Sequence, residues 1–329
     1  MKTVILVIWI ISVVFAGFAE NYENNWYVLV DTSRYIFNYR HFSNILGIYN
    51  SLRKYGIKDD RIIVLAPSTY AWDPRNRRPG EIISSAFSEY NEYCPNTVID
   101  IRGEDLSDIN VINIIKGLYE PHLPISQRLL SDENSDVLFY FTGHSGEEFF
   151  KIQDSQVLYS RDIGNALDIM NLKGKYRKLL FISDTCEAFS WFSYVGADNI
   201  MYEASSGVGE SAFSYGWDNQ LLLFVSDKYS YILIQYLKDK LINNFKSHSI
   251  LSFFESFDKS FLESEPVYNH TLTDSKLEHE PFINFFPPPF TAESSSLFPD
   301  VQRYSVFERV AKVFNEKDFE IAASFIDNL

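Results

Sequence analysis

Two apolar stretches of the chain each end in a side chain that can take part in covalent chemistry. Residues 136–144 run from Asp136 through apolar side chains to a glycine and then His144, and residues 178–186 run in the same way to Cys186. A thiol that passes its proton to a nearby imidazole becomes a thiolate, which attacks carbonyl carbon readily. Taken singly, such a cysteine is usually a small buried side chain and such a histidine is usually structural. The shared pattern of the two stretches favours a nucleophile and its base.

These two stretches need elements that bring their ends together. Continuous apolar runs are typical of parallel strands covered on both faces, and residues 160–172 between them have the spacing of a crossover helix. The carboxyl ends of neighbouring parallel strands meet at one edge of a sheet, where α/β proteins bind ligands. The sequence therefore predicts that the thiol and the imidazole lie at the same sheet edge.

The rest of the pattern predicts a three-layer α/β/α domain with a mostly parallel central sheet. Gly56 is expected to end the first helix and Ser107 to cap the second. A polar, turn-rich stretch, residues 67–93, is predicted to be a surface loop with a short helix. The predicted strands are residues 26–31, 61–66 and 199–204, and the predicted helices are residues 39–55, 107–119 and 221–241.

Composition and charge limit the possible classes of protein. The chain has 329 residues, of which 46% are hydrophobic, which suffices for one main domain with an appendage. Its net charge of −15 argues against nucleic acid as a partner, because phosphate binding needs clustered Lys and Arg.

Residues 1–19 are predicted to be a secretory signal peptide, with Lys2 before an apolar core and small residues ending at Ala19. An uncleaved anchor is the alternative, although the apolar run is shorter than the ~20 residues that a span needs.

A change of composition separates a predicted catalytic domain, residues 20–244, from a C-terminal extension, residues 245–329. The extension holds an aromatic, proline-rich stretch at residues 282–290 and a predicted helix at residues 301–325. Exposed aromatic side chains of this kind either dock a partner subunit or fold back onto the main domain, and the sequence leaves both open. Asn269 begins an Asn-His-Thr glycosylation sequence, which implies exposure there if it is used.

Short motifs spread along the chain resemble those of a known family. They occur in order over about residues 24–240, and they resemble the caspase-like cysteine peptidases of the legumain type, within them the catalytic subunits of GPI-anchor transamidases. Thr32-Ser-Arg34, Phe37-Asn-Tyr-Arg-His41 and Asp73-Pro-Arg-Asn76 favour the transamidase subunits over legumain proper. The other matching motifs are Asn24-Asn-Trp-Tyr-Val-Leu-Val30, Arg128-Leu-Leu-Ser-Asp132, Thr142-Gly-His144, Gln153-Asp154, Asp184-Thr-Cys186, Asn199-Ile-Met201 and Ala204-Ser-Ser206.

The resemblance implies roles for residues outside the two central stretches. Asn38 matches the family's third catalytic residue, which orients the histidine; a turn-capping Asn is the structural alternative. Arg40, Ser211 and Asp227 match positions that line the primary specificity pocket in legumain-like enzymes. The alternative for these three is surface ion pairing and an ordinary loop serine.

Peptide-bond attack also needs N–H donors for the oxygen that becomes negative in the tetrahedral intermediate. The tight turn that contains Gly143 and Ser145 is predicted to present one donor, and the backbone of Cys186 another. The family's usual residue after the catalytic histidine is glycine. Ser145 therefore narrows the backbone conformations available at this oxyanion hole.

A calcium site is weakened relative to the resembled family. Asp59, the carbonyl of Ile62 and Asp100 match family calcium ligands, but Val98 stands where a further acidic ligand is expected. Calcium prefers six to eight oxygen ligands, so a weak or absent site is predicted.

The chain has two cysteines, Cys94 and Cys186. Cys186 is expected to be free, because a disulfide would remove the nucleophile. In the resembled family, a cysteine just before the Asp73 motif links covalently to a partner subunit, whereas Trp72 stands there in this chain. Cys94 either takes over that link or is an unpaired buried thiol.

The resemblance implies an enzyme of the endoplasmic reticulum lumen, attached to the membrane through embedded transamidase subunits. Its substrates would be a proprotein with a C-terminal GPI signal and a GPI lipid, and its chemistry would need no cofactor beyond a possible structural calcium. Cys186 would hold the acyl group as a thioester until the ethanolamine amine of the lipid displaces it. The alternatives are a legumain-like asparaginyl endopeptidase, in which water takes the acyl group, and a catalytically silent scaffold of the same fold.

Overall fold

The computed structural model describes residues 24–86, 90–240 and 248–287. The predicted signal peptide and the predicted helix at residues 301–325 lie outside the described residues. Among the residues that are described, no helix combines the length and the apolar composition needed to cross a bilayer.

The elements follow one another mostly as alternating strands and helices. The described strands are β1 Trp26–Asp31, β2 Ile62–Ala66, β3 Ile101–Arg102, β4 Asp136–Thr142, β5 Ser145–Gly146, β6 Phe149–Ile152, β7 Gln156–Tyr159, β8 Lys178–Asp184, β9 Ile200–Ala204, β10 Ser214–Asp218, β11 Leu223–Asp227 and β12 Val267–His270. The described α-helices are α1 Tyr39–Lys54, α2 Asp108–Lys116, α3 Ser160–Leu172, α4 Lys228–Gln235, α5 Ile250–Phe254 and α6 Lys259–Leu262.

A seven-stranded sheet forms the centre of the structure, in the order β12-β9-β8-β4-β1-β2-β3. Its strands pair in parallel except β12, which pairs antiparallel with β9. Because side chains alternate along a strand, Tyr27 and Leu29 of β1 join a core with α1, whereas Val28 and Val30 join a second core with α2 and α3. The predicted three-layer fold with a mostly parallel sheet is confirmed.

Several predicted element boundaries agree with the structure for the predicted reasons. The side chain of Ser107 accepts a hydrogen bond from the backbone N–H of Asn110 at the start of α2. Gly56, just past α1, has a φ of 85°, which favours glycine. The predicted helix extends three residues too far at its C-terminal end, because Gly117 adopts a left-handed conformation and α2 ends at Lys116.

The predicted helix at residues 221–241 is wrong in its first part. An antiparallel hairpin of β10 and β11 occupies residues 214–227, and the helix begins only at Lys228. The carboxylate of Asp218 accepts the N–H groups of Gln220 and Leu221, which turns the chain between the two strands. In the loop at residues 67–93, the described part contains turns and bends but no helix.

The described part of the predicted C-terminal extension folds back onto the main domain. Strand β12 extends the central sheet beside β9. Phe253, Phe282 and Phe286 are buried in the same core as α1. The hydroxyl of Tyr27, in the first strand, donates to the carbonyl of Phe285 at 2.7 Å. Residues 248–287 therefore share one core with the rest of the described chain.

Candidate active site

His144 and Cys186 emerge at the same edge of the sheet. His144 lies two residues after Thr142 of β4, and Cys186 lies two residues after Asp184 of β8. Thr142 and Asp184 are in register with each other. Both side chains are half-buried. The sulfur of Cys186 lies 3.9 Å from the carbonyl oxygen of Ala212. The predicted placement of both strand ends at one edge is confirmed.

Asn38 fixes the orientation of the His144 ring. Its side-chain oxygen Oδ1 lies 2.8 Å from Nε2 of His144. Its Nδ2 donates to the carbonyl of Arg34 at 2.6 Å, so the amide oxygen must face the histidine. Because Oδ1 can only accept, Nε2 carries the ring hydrogen and Nδ1 keeps a lone pair. The structure brings Asn38 to His144, as predicted, although the proposed role in catalysis goes beyond this contact.

The surroundings of His144 favour its neutral form. Burial lowers the pKa of this imidazole below its ordinary value of 6.5, and the charge of Arg40 lowers it further, against weaker opposing effects of Asp154 and Asp227. The ring of His41 meets the ring of His144 edge-on, with centroids 5.2 Å apart. A neutral imidazole can accept a proton, which suits a general base.

Gly143 occupies a place that a larger residue cannot take. Its φ is 152°, and a Cβ there would overlap Oγ1 of Thr32 and lie 2.8 Å from the ring of Phe150. The chain can therefore leave β4 and present His144 only with a glycine at this position. Ser145, which follows His144, contacts the turn that carries Cys186: its Oγ lies 2.7 Å from Oγ1 of Thr185.

Two of the three residues predicted to line the specificity pocket contact each other. Nε of Arg40 donates to Oδ1 of Asp227 at 2.8 Å, and Nδ2 of Asn44 donates to Oδ2 of the same carboxylate at 2.6 Å. Asp227 is buried at the end of β11. Ser211 is exposed and precedes Ala212, whose carbonyl lies beside the Cys186 sulfur. The pairing of Arg40 with Asp227 agrees with the prediction, and the pocket role stays a prediction.

A family model, the peptidase C13 family, matches residues 25–285. The chain belongs to this family. C13 peptidases are cysteine peptidases, so the prediction of an enzyme with a cysteine nucleophile is confirmed at the level of the family.

Several relatives of this C13 peptidase carry the same name. A protein of Sus scrofa named GPI-anchor transamidase is 34% identical over 287 residues, which cover 86% of this chain and 72% of the relative. The Homo sapiens GPI-anchor transamidase is 34% identical over 269 residues, which cover 82% of this chain and 68% of the relative. A solved structure of caspase-1 from Spodoptera frugiperda is similar with a TM-score of 0.43 at 10% identity, over 78% of this chain and 90% of that one. That structural likeness is too weak to add to the family assignment.

Two of the predicted calcium ligands in this C13 peptidase accept hydrogen bonds from protein groups. The carboxylate of Asp59 accepts the hydroxyl of Tyr49, and the carboxylate of Asp100 accepts the N–H of Val64 at 2.9 Å. Burial raises the pKa of Asp100 to about 6, and the charge of Asp59 adds to this rise. The described residues contain no group of three or more His, Cys, Asp or Glu that could hold a metal. Calcium binding by Asp59, Asp100 and the carbonyl of Ile62 stays a prediction.

Two predicted residues remain, Cys94 and Asn269. Both Cys94 and Cys186 are free thiols within the described residues, and Cys94 is half-buried. A link from Cys94 to a partner subunit stays a prediction. Asn269 is exposed on β12, as its glycosylation would require, and its use stays a prediction.

His41 contacts the ring of His144, although no role was predicted for it. This side chain is fully buried, with Nδ1 2.8 Å from Oγ of Ser33 and Nε2 3.6 Å from Oδ2 of Asp227. Burial lowers its pKa well below the ordinary value, with smaller effects from Arg40 and His144. A signal was available, because residues three apart share one side of a helical turn, which places His41 above Asn38.

Proposed function

We propose that this chain is the catalytic subunit of a GPI-anchor transamidase. The observation that carries the proposal is the equal register of β4 and β8, because both strands end at one sheet edge and are followed within two residues by His144 and Cys186. Relatives that carry this name over more than four fifths of this chain support the choice of reaction.

The first half of the proposed reaction forms a thioester. His144 takes the proton of the Cys186 thiol, and the sulfur attacks the carbonyl carbon of the peptide bond. Backbone N–H groups of the Gly143–Ser145 turn and of Cys186 stabilise the oxyanion. The C–N bond then breaks, and the imidazolium of His144 gives its proton to the departing amine, which leaves with the C-terminal signal of the proprotein.

The second half transfers the acyl group. The ethanolamine amine of a GPI lipid attacks the thioester carbon while His144 takes a proton from that amine. The C–S bond breaks, and the proton returns to the sulfur. Arg40, Ser211 and Asp227 are proposed to hold the residue whose carbonyl is attacked. Water attack in place of the amine would release a free carboxyl group, as in an endopeptidase.

The proposal extends to the cellular setting. The product is a protein with a lipid anchor in place of its C-terminal signal, and such signals act on proteins in the secretory pathway. We therefore propose that the chain works in the lumen of the endoplasmic reticulum, in a complex with membrane-embedded transamidase subunits. The proposal does not require a metal.

A replacement experiment tests the proposed nucleophile. Cys186→Ala is expressed in place of the wild-type chain, with Cys94→Ala as the matched control, and the C-terminus of a reporter proprotein is analysed by mass spectrometry. We expect the GPI-linked reporter to be absent with Cys186→Ala and to be formed with Cys94→Ala as with the wild type. Anchoring by Cys186→Ala would overturn the enzymatic role, and wild-type product with only a free carboxyl would identify an endopeptidase instead.

A further inference from the structure

The side chain of Ser145 joins the two loops that carry the candidate catalytic residues. Its Oγ lies 2.7 Å from Oγ1 of Thr185 and is also within hydrogen-bond distance of the carbonyl of Cys186. Ser145 follows His144 directly, and Thr185 precedes Cys186 directly. The Ser145 hydroxyl therefore connects the turn after β4, which carries His144, with the turn after β8, which carries Cys186. These two turns are the histidine loop and the cysteine loop.

The hydroxyl protons of this contact are used within the two loops. Oγ1 of Thr185 also lies 2.8 Å from the carbonyl oxygen of Gly143. Ser145 and Thr185 carry one hydroxyl hydrogen each, so two hydrogens serve three short contacts. If Ser145 donates to the carbonyl of Cys186, Thr185 donates either to Gly143 or back to Ser145. If Ser145 donates to Thr185, Thr185 donates to Gly143. Each arrangement connects the backbone beside His144 with the backbone beside Cys186.

The cysteine loop is held from its other side by serines that follow β9. The N–H of Thr185 donates to Oγ of Ser205 at 3.1 Å, and Oγ of Ser206 donates to the carbonyl of Thr185 at 2.8 Å. Oγ of Ser206 also accepts the N–H of Ala188 at 3.1 Å. These contacts fix Thr185 and the turn after Cys186 relative to the sheet, and Ser145 provides a link toward the histidine loop.

From these contacts we infer that Ser145 is a positioning residue for acyl transfer at Cys186. Its hydroxyl holds the 143–145 backbone at a set distance from the Cys186 backbone, and so it sets the spacing of the N–H donors that meet the oxyanion. The inference rests on the proposed function. Donors of this kind act mainly in the transition state, so loss of the hydroxyl should lower kcat and leave KM nearly unchanged.

Three substitutions at Ser145 test this role in the assembled complex. Ser145→Ala and Ser145→Gly remove the hydroxyl, and Ser145→Thr keeps it. Removing one oxyanion donor outright typically lowers kcat by about 100-fold to 1000-fold, so displacing donors without removing them should lower it by about 10-fold in Ala and Gly. We expect Thr to restore most of kcat. Ser256→Ala is the control, because Oγ of Ser256 is half-buried and donates to one backbone carbonyl, that of Phe253, away from the site.

A pair of probes separates positioning from collapse of the site. Iodoacetamide alkylates the Cys186 thiolate without forming an oxyanion, whereas a peptide aldehyde adds the sulfur to its carbonyl carbon and places an oxygen in the oxyanion hole. We expect Ser145→Ala to keep the wild-type alkylation rate and to bind the aldehyde about 10-fold more weakly. Equal losses with both probes, or wild-type kcat in Ser145→Ala, would overturn the inference. If the wild-type complex itself neither turns over nor is alkylated at Cys186, it is the proposed function that fails.

Discussion

At the scale of single residues, the amide of Asn38 decides which nitrogen of His144 keeps a lone pair and could serve as the proposed base. Because Nδ2 of Asn38 is used by the carbonyl of Arg34, the amide cannot flip, and Oδ1 stays 2.8 Å from Nε2 of His144. The lone pair is thereby kept on Nδ1. Burial lowers the pKa of His144, which favours the neutral ring with this lone pair free.

The pH dependence of the reaction should report this arrangement. Protonation of His144 removes the base, so the acid limb of kcat/KM follows the pKa of His144 and should lie below pH 6.5, its ordinary value. Asn38→Asp places a carboxylate beside Nε2–H and favours the imidazolium, which raises the pKa of His144. We expect the acid limb of Asn38→Asp to move to higher pH, as measured by kcat/KM from pH 4.5 to 8.

Asn38→Ala serves as the comparison for this substitution. It removes the acceptor without adding a charge, so kcat should fall by about 10-fold to 1000-fold because the ring loses its fixed orientation, while the acid limb moves less than in Asn38→Asp. Identical limbs in Asn38→Asp and the wild type would show that His144 does not set the pH dependence.

At the scale of elements, the close approach of the β4–β5 turn to the β1 end controls where His144 points. Gly143→Ala would push its methyl group into Thr32 and Phe150 at a φ of 152°. We expect Gly143→Ala to lower the free energy of unfolding by about 2–4 kcal/mol and to abolish most activity, because the methyl group and Oγ1 of Thr32 must separate by about 1 Å more. Chemical denaturation and initial rates measure the two effects.

Gly209→Ala isolates the clash from the conformational strain. Gly209 also has a positive φ, 78°, but a Cβ there would meet no atom within 4 Å. Its substitution should cost only about 1 kcal/mol, the cost of the backbone conformation. Equal losses in the two variants would show that close packing at Gly143 is not what positions the turn.

Which elements were predictable from sequence follows from how they are buried. Strands β4 and β8 are covered on both faces, so they are apolar at nearly every position and stand out as continuous runs. Strand β11 is short and only partly covered, and its apolar residues merge with those of α4 into one pattern of helical spacing. Asp218 and Asn219 were the available turn signal for the hairpin.

The residues of the site were predictable from sequence only where they follow a strand or belong to a recognisable motif. His144 and Cys186 follow directly from two strands, and Asn38 and Arg40 follow from a motif. The contact of Ser145 with Thr185 depends on the register between β4 and β8 and on the turn after each strand, which no local pattern of residues specifies.

At the scale of the whole molecule, the last described residues pack against the first strand and share its core. Nδ2 of Asn25 donates to the carbonyl of Asn284 at 2.6 Å, beside the contact of Tyr27 with Phe285. Nζ of Lys178, at the start of β8, pairs with the buried carboxylate of Glu280. Residues 248–287 therefore contribute to the stability of the sheet that carries the candidate site.

Phe282→Ala tests whether this segment folds as one unit with the sheet. Phe282 is fully buried and stacks on Phe286, with centroids 4.5 Å apart, so its truncation should lower the free energy of unfolding by about 3–5 kcal/mol. Phe37→Ala, at a position that is 58% exposed, should cost less than about 1 kcal/mol. Urea unfolding followed by far-UV circular dichroism should show one transition that shifts as a whole in Phe282→Ala. Two transitions, of which only a minor one moves, would mean that residues 248–287 unfold as a separate unit. The sheet edge with His144 and Cys186 would then not be stabilised by this segment.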